Sequence, residues 1–386
     1  MALHFERGEY LARIDRARTK LREKNLAALL IFAQESHYYL TGFDTSGFVF
    51  FQCAVLTADE RPITLLTRLP DREQARRTSI IEDIRIWYDT EAADPTRDLK
   101  GILAEQDLKG ARIGVELNTF GLTGLNHDRL QRQLVGWCEL EDASNLVREL
   151  RVTKSGAEIA YVRRAAALAD DALEAMLAAI RPGAFEGDIA AAGISAILKG
   201  GGDMPPSGPV LGSGDRALLV RSATGARYLD AVDQITMEFA GSYRHYCACL
   251  MRTVAVGSAN PRQREMFEAT RDALAAMSEA ARPGRPLGEI DDAHRRIFDA
   301  AGFGSARLAA CGYSLGASFR PSWMDVPPMI YSGNPMLAEP GMVLFLHAIL
   351  VDAPRNLAMS LGHTILITET GSEALSRLTP EYSICT

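Results

Sequence analysis

Residues 181–189 read RPGAFEGDI, and residues 282–290 read RPGRPLGEI. Arg, Pro, Gly, a second Gly, an acid and Ile fall in register at an offset of 101 residues. Each copy follows a long alanine-rich stretch with helical patterning, 158–180 and about 261–281. Each precedes a second helical pattern, a glycine-containing turn and strand-like runs. Proline and glycine stop the preceding helix for different reasons. Proline lacks the N–H and clashes with the turn before it, while glycine accepts a left-handed backbone. The repeated pattern makes residues 151–386 a duplicated α/β unit, whose halves are expected to pack about a pseudo-two-fold axis with a cleft between them.

Within that unit two strand candidates break their own pattern. QITMEFAG (234–241) places Ile235, Met237 and Phe239 on one face and Thr236, Glu238 and Ala240 on the other. Glu238 is then a lone carboxylate in an apolar strand. The corresponding run of the second copy, GMVLFLHAIL (341–350), is apolar throughout except for His347. A carboxylate held among apolar groups has its pKa raised towards the range useful for proton transfer. An acid and an imidazole on equivalent strands of two halves would share one pocket. His363, in LGHTILIT, opens a further strand and is a third catalytic candidate. Cys247 and Cys249 form a C-x-C that puts both thiols on one face of a strand.

Residues 1–150 form a separate, smaller α/β domain with a mixed sheet. Helix patterns at 8–24, 70–78, 95–106 and 124–134 alternate with AALLIFA (27–33), FVFFQCAVLT (48–57), PITLLT (62–67), IRIWY and ARIGVEL. No catalytic cluster is evident there. The chain of 386 residues is 47% hydrophobic with a net charge of −7, and it carries no long basic run. Nucleic acid and anionic membranes are therefore not expected as partners. No apolar run has the length of a membrane span, and the first residues lack a secretory apolar core, so a cytoplasmic location is expected. The six cysteines are scattered without a CxxC, which argues against a disulfide framework or a structural zinc site.

Several stretches resemble the superfamily of prolidase, methionine aminopeptidase and creatinase, the pita-bread hydrolases. LRVTKSGAEIAYVRRAA resembles the family's domain junction, ITMEFAGSYRHYCACLMRTVAVG its central hairpin, and EPGMVLFLHAIL with GHTILITETGSEALS its last strands. The resemblance spans nearly the whole chain. It implies a C-terminal pita-bread domain behind a creatinase-like N-terminal domain. It also implies a homodimer in which SHYYLTGFDTSG (36–47), with Tyr39, Phe43 and Asp44, closes the partner's pocket. The metallopeptidases of the family hold two metal ions with two Asp, one His and two Glu. Carried over, those places hold Glu238, Cys249, Tyr313, His347 and Gly362, and the aspartate spacing of 11 residues survives between Glu238 and Cys249. The family's other active-site histidine falls on Arg221. One carboxylate in five positions implies that no metal is bound and that no other cofactor is needed.

Among the members that work without metal, ectoine hydrolase and creatinase are the most similar. The hairpin residues Glu238, Ala240, Gly241, Tyr243, Tyr246, Arg252 and Thr253, and then GYSLGASFRPSW with Tyr313, Phe319 and Trp323, follow the ectoine hydrolase pattern, with His245 standing where that pattern has arginine. The expected activity is cleavage of a C–N bond in a small, polar, amino-acid-derived substrate. Glu238 would be base or nucleophile, and His347 or His363 the acid. Arg221, Tyr313, Trp323, Phe319, Cys249 and Tyr243 would form the substrate site. The alternatives are a metal-dependent Xaa-Pro peptidase with an altered site, a single zinc on Glu238, Cys249 and His347, and a non-catalytic scaffold. GYSLG (312–316) also matches the G-x-S-x-G elbow, with Asp352 and His363 following, but the prolines after it are poor material for the helix an elbow requires.

Overall fold

The computed structural model describes residues 3–221 and 224–386. The chain divides into two compact units, Met1–Arg151 and Val152–Thr386. The first unit contains α1 (Arg7–Glu23), β1 (Ala28–Ile31), α2 (Gln34–Thr41), β2 (Cys53–Thr57), β3 (Thr64–Arg68), α3 (Arg72–Thr78), β4 (Asp83–Trp87), α4 (Pro95–Glu105), β5 (Arg112–Val115), α5 (Gly124–Leu134), β6 (Glu139–Asp142) and α6 (Asn145–Val152). Its six strands form one mixed sheet in the order β4-β3-β2-β1-β5-β6. Apolar side chains on the two faces make two cores, one around Leu29, Ile31 and Leu56, the other around Leu30, Val55 and Ile113.

The strand expected over 48–57 begins only at Cys53. Gly47–Val49 forms a 3-10 turn instead. Thr45 Oγ1 donates to Asp71 Oδ1 at 2.9 Å and accepts the Gly47 N–H at 2.8 Å, which curls the chain before the strand starts. Tyr39 and Phe43 are 1% and 0% exposed in this unit's own core, so neither is free to close a partner's pocket. Asp44 remains only partly buried.

The second unit comprises α7 (Gly156–Ala179), α8 (Glu186–Lys199), β7 (Val210–Ser213), β8 (Asp233–Tyr243), β9 (Tyr246–Val256), α9 (Pro261–Ala280), α10 (Gly288–Ala300), β10 (Gly312–Leu315), β11 (Met324–Ile330), β12 (Val343–Asp352), β13 (Leu357–Ile367), β14 (Ser372–Ala374) and β15 (Ile384–Cys385). The main strand order is β11-β10-β12-β13-β9-β8-β7. Apart from the edge strand β11, the order is a palindrome about the β13–β9 seam. β7, β8 and β9 of the first half match β10, β12 and β13 of the second. The repeated helix-ending turns match as well. Gly183 and Gly284 both sit at φ +76°, where a side chain is disfavoured. Their N–H groups donate to Leu229 and Ala338 carbonyls at 2.9 and 2.8 Å. Each half buries its helix pair on the sheet in a core of its own, around Met237 and Leu250 in one and Leu346 and Leu361 in the other. Among the described residues, no helix is long and apolar enough to cross a membrane.

Candidate functional site

The registers of three strand pairs draw one line across the sheet. Glu238 of β8 pairs with Met251 of β9, Met251 with Gly362 of β13, and Gly362 with His347 of β12. Paired residues point to the same face, so these four positions share one side of the sheet. Three inter-strand spacings put the ends of the line at most about 14 Å apart along the backbone. Glu238 and His347 both line a cavity of about 380 Å³, together with Arg221, Met251, Tyr313 and Trp323. Ser207 and Val210, from the glycine-rich stretch 200–215, line it as well, which makes that stretch a cleft loop.

Tyr313 spans the gap between the two halves. Its Oη donates to Glu238 Oε1 at 3.0 Å, and Trp323 Nε1 donates to the same Oη at 2.8 Å. Its ring lies 5.8 Å from the His347 ring. Tyr313 therefore has its proton committed to the carboxylate, with an indole fixing the angle of the phenol.

Burial among apolar groups raises the Glu238 carboxyl from 4.5 to about 7, against the lowering effects of the Tyr313 hydrogen bond and the Arg221 charge. The group opens onto the cavity and is only partly buried by area. Burial acts the other way on His347. Its pKa falls from 6.5 to about 4, helped by the nearby His294 and Arg221 and opposed by Asp291. At neutral pH the cavity thus presents a carboxyl close to its midpoint and an uncharged imidazole. An imidazole in its neutral form brings an N–H and a lone pair to the cavity rather than a stored proton, which makes the Glu238 carboxyl the more readily protonated of the two groups at that pH.

Three further candidates do not reach the cavity. His363 pairs with Leu346 and Leu250, one residue out of step with Gly362, so its ring faces the helices; Nε2 lies 3.2 Å from Ser278 Oγ. A shift of one residue reverses the face of a strand position. Tyr243 shares the parity of Met237 and Phe239, and its ring packs edge-on against Tyr161 of α7. Phe319 stacks on His245 at 4.2 Å, beside the β8–β9 turn. Cys249 is on the cavity face but fully covered, and burial holds its thiol protonated. Ser314 is buried on β10, with its Oγ 3.4 Å from Lys154 Nζ, and no helix follows it, so the elbow arrangement is absent.

Other motif residues hold the frame. Ser155 and Glu158 form a reciprocal cap at the start of α7. Glu158 Oε1 also accepts from Tyr246 Oη at 2.7 Å, tying α7 to β9. Arg252 donates to the Gly362 carbonyl at 2.7 Å across the seam between the halves. The Thr236 and Thr253 hydroxyls are 2.8 Å apart between β8 and β9. Sequence reasoning missed the apolar walls, Met251 and Met329 among them. An alternating strand pattern around Glu238 and Tyr313 carries no signal for which neighbouring strand lies across from them.

A model described as metallopeptidase family M24 matches residues 160–369, and one described as creatinase/prolidase N-terminal domain matches residues 13–153. The chain is 28% identical to "Uncharacterized hydrolase/peptidase y4tM" of Sinorhizobium fredii, over 97% of both chains. It is 26% identical to ectoine hydrolase of Halomonas elongata, again over 97% of both. In structure it is similar to recombinant prolidase from Thermococcus sibiricus, with a TM-score of 0.87, 18% identity, and 97% of this chain and 99% of that one covered. That last likeness concerns the fold alone.

The five positions that resemble the family's metal ligands do not fit a pair of ions. Gly362 offers no ligand, and a Cβ there would come within 2.7 Å of the Phe345 ring. The Tyr313 phenol is engaged by Glu238 and Trp323. Glu238 is the one carboxylate of the set, whereas two adjacent divalent ions need several bridging oxygen ligands.

Proposed function

The chain belongs to metallopeptidase family M24, in the creatinase/prolidase pita-bread superfamily, and from that premise we propose that it is a metal-independent hydrolase of a C–N bond in a small, polar, amino-acid-derived substrate. The observation that carries this reading is the Trp323–Tyr313–Glu238 hydrogen-bonded chain, whose Glu238 and Tyr313 stand at positions that resemble the family's metal ligands. Glu238 in its carboxylate form takes a proton from water as the oxygen adds to the C–N carbon. The same carboxyl then returns that proton to the leaving nitrogen as the C–N bond breaks. A pKa of about 7 suits both steps, because base and acid forms are then nearly equal in free energy. Tyr313 orients the carboxylate. Arg221, exposed at the cavity lining, pairs with a substrate carboxylate through its planar fork. Neutral His347 accepts or donates a hydrogen bond without changing charge.

Full-length protein tested on a panel of N-acyl, cyclic amide and cyclic amidine amino-acid derivatives should release product in the presence of a chelator. Adding manganese or zinc should leave the rate unchanged. Turnover that appears only with added metal would overturn metal independence. Binding of panel members without turnover would turn the reading into one of a scaffold.

A further inference from the structure

We propose that Asp291, His294 and Cys311 form a binding site for one zinc-class divalent cation, next to His347, whose N–H donates to the Cys311 carbonyl at 2.9 Å, but made of residues outside the Glu238–His347 line and not dependent on the hydrolytic reading. Asp291 and His294 lie three residues apart on α10 and therefore on one face of that helix. Cys311 comes from the segment that leads into β10. All three are buried, at 3%, 1% and 0% exposure, and one donor atom from each lies within 4.8 Å of the other two. Asp291 Oδ2 accepts the Ser332 N–H at 3.1 Å, which fixes the carboxylate as an outer partner fixes a ligand.

The second observation is an unfilled demand for partners. Asp291 Oδ1, the atom that faces the His294 ring, is shielded from solvent and makes no hydrogen bond. Asp291 Oδ1 faces His294 Nδ1 at 3.4 Å and Arg307 Nη1 at 3.6 Å, distances too long for good hydrogen bonds. A metal ion between donors meets such a demand at about 2.0–2.3 Å from each. One thiolate, one imidazole and one carboxylate favour zinc over magnesium or calcium, which take oxygen ligands. Three protein ligands leave a fourth position for water. Arg307 is the rival occupant: without an ion its guanidinium is the nearest positive charge to the carboxylate, and binding requires it to yield.

Purified full-length protein is loaded with zinc, desalted, and its metal content measured. In parallel it is loaded with cobalt(II) and scanned for a thiolate-to-cobalt absorption band. One retained ion per chain is expected, with a cobalt–thiolate band that survives Cys249→Ser and disappears in Cys311→Ser. Should Cys311→Ser fail to fold, His294→Gln keeps the thiolate and must weaken zinc retention by more than the roughly 10- to 100-fold that loss of an outer partner costs. No retained ion leaves Arg307 as the sole counter-charge and overturns the proposal. So does a band lost in Cys249→Ser but kept in Cys311→Ser, which would put the ion beside Glu238. Zinc affinity unchanged by His294→Gln is equally fatal.

Discussion

In the first half of the C-terminal unit, β8 carries a carboxylate to the cavity; in the second half, β12 carries an imidazole to the matching place. The turns, strand order and register row of the two halves agree. What differs is the sign of the charge that the common apolar wall suppresses. Burial pushes Glu238 up to about 7 and His347 down to about 4, in both cases towards the uncharged form. The same dielectric environment therefore makes one half responsive near neutral pH and the other silent there. Duplication kept the scaffold symmetric while the chemistry became one-sided.

The largest effect that would break this asymmetry is on turnover. Glu238→Gln should lower kcat by about 10²–10⁴-fold, whereas His347→Gln, removing only a neutral hydrogen-bonding group, should cost about 10-fold or less. Steady-state kinetics on one substrate compares the two, and an equal loss in both variants would show that the halves contribute alike. With Glu238 acting first as base, kcat/KM of the wild type should rise with pH through about 7.

Stability should respond with opposite signs. The Glu238 pKa is raised in the folded state, so its contribution is fully present below about 4.5 and is lost as pH rises through about 7. His347 is depressed, so its contribution is present above 6.5 and is lost as pH falls through about 4. Glu238→Gln should therefore stabilise at pH 8, and His347→Gln at pH 4, each by at most about 3 kcal/mol because both groups retain some contact with the cavity. Denaturant melts at the two pH values read the difference. Should both variants gain stability at the same pH, the opposed shifts do not exist.

A smaller effect sharpens the role of Tyr313. Its hydrogen bond lowers the Glu238 pKa, so Tyr313→Phe should move the midpoint of the kcat/KM profile to higher pH by about one unit. An unmoved midpoint would reduce Tyr313 to packing. The smallest effect tests the symmetry itself. Gly183→Ala and Gly284→Ala face open space at the same φ, so each should cost about 1 kcal/mol and nearly the same amount.

Much of this arrangement was legible in the residues. The turn repeat located the two helix pairs, and alternation placed Glu238 on the face opposite Met237. The motif resemblance put Tyr243 in the substrate site, whereas the alternation that places Glu238, carried on to residue 243, gives Tyr243 the parity of Met237, and the assembled sheet follows that parity. His363 could not be assigned, because its face depends on whether residue 362 or 363 pairs with Leu346 and His347, and only the assembled sheet decides that. In the N-terminal unit α2 escaped notice because seven of its eight residues are buried, leaving no polar stripe to mark a helical period. β6, ELED, reads as surface. It is an edge strand held beside β5, with Arg112 paired to Glu141.

The β9–β13 seam has a consequence for how the protein is made. β9 is buried along all 11 of its residues, yet beyond β8 only its first two residues find a backbone partner early, at Gly316 and Ala317, and the rest of its edge is met by β13 and β15, more than a hundred residues later. While a ribosome extends the chain the 111 residues from residue 256 to residue 367, most of that apolar edge has no partner of its own. At ordinary elongation rates the interval is about 6–20 s. Unpaired apolar edges invite pairing with other chains. The nascent first half is thus the segment most in need of a chaperone, and a message truncated near residue 260 should yield aggregates rather than half a domain.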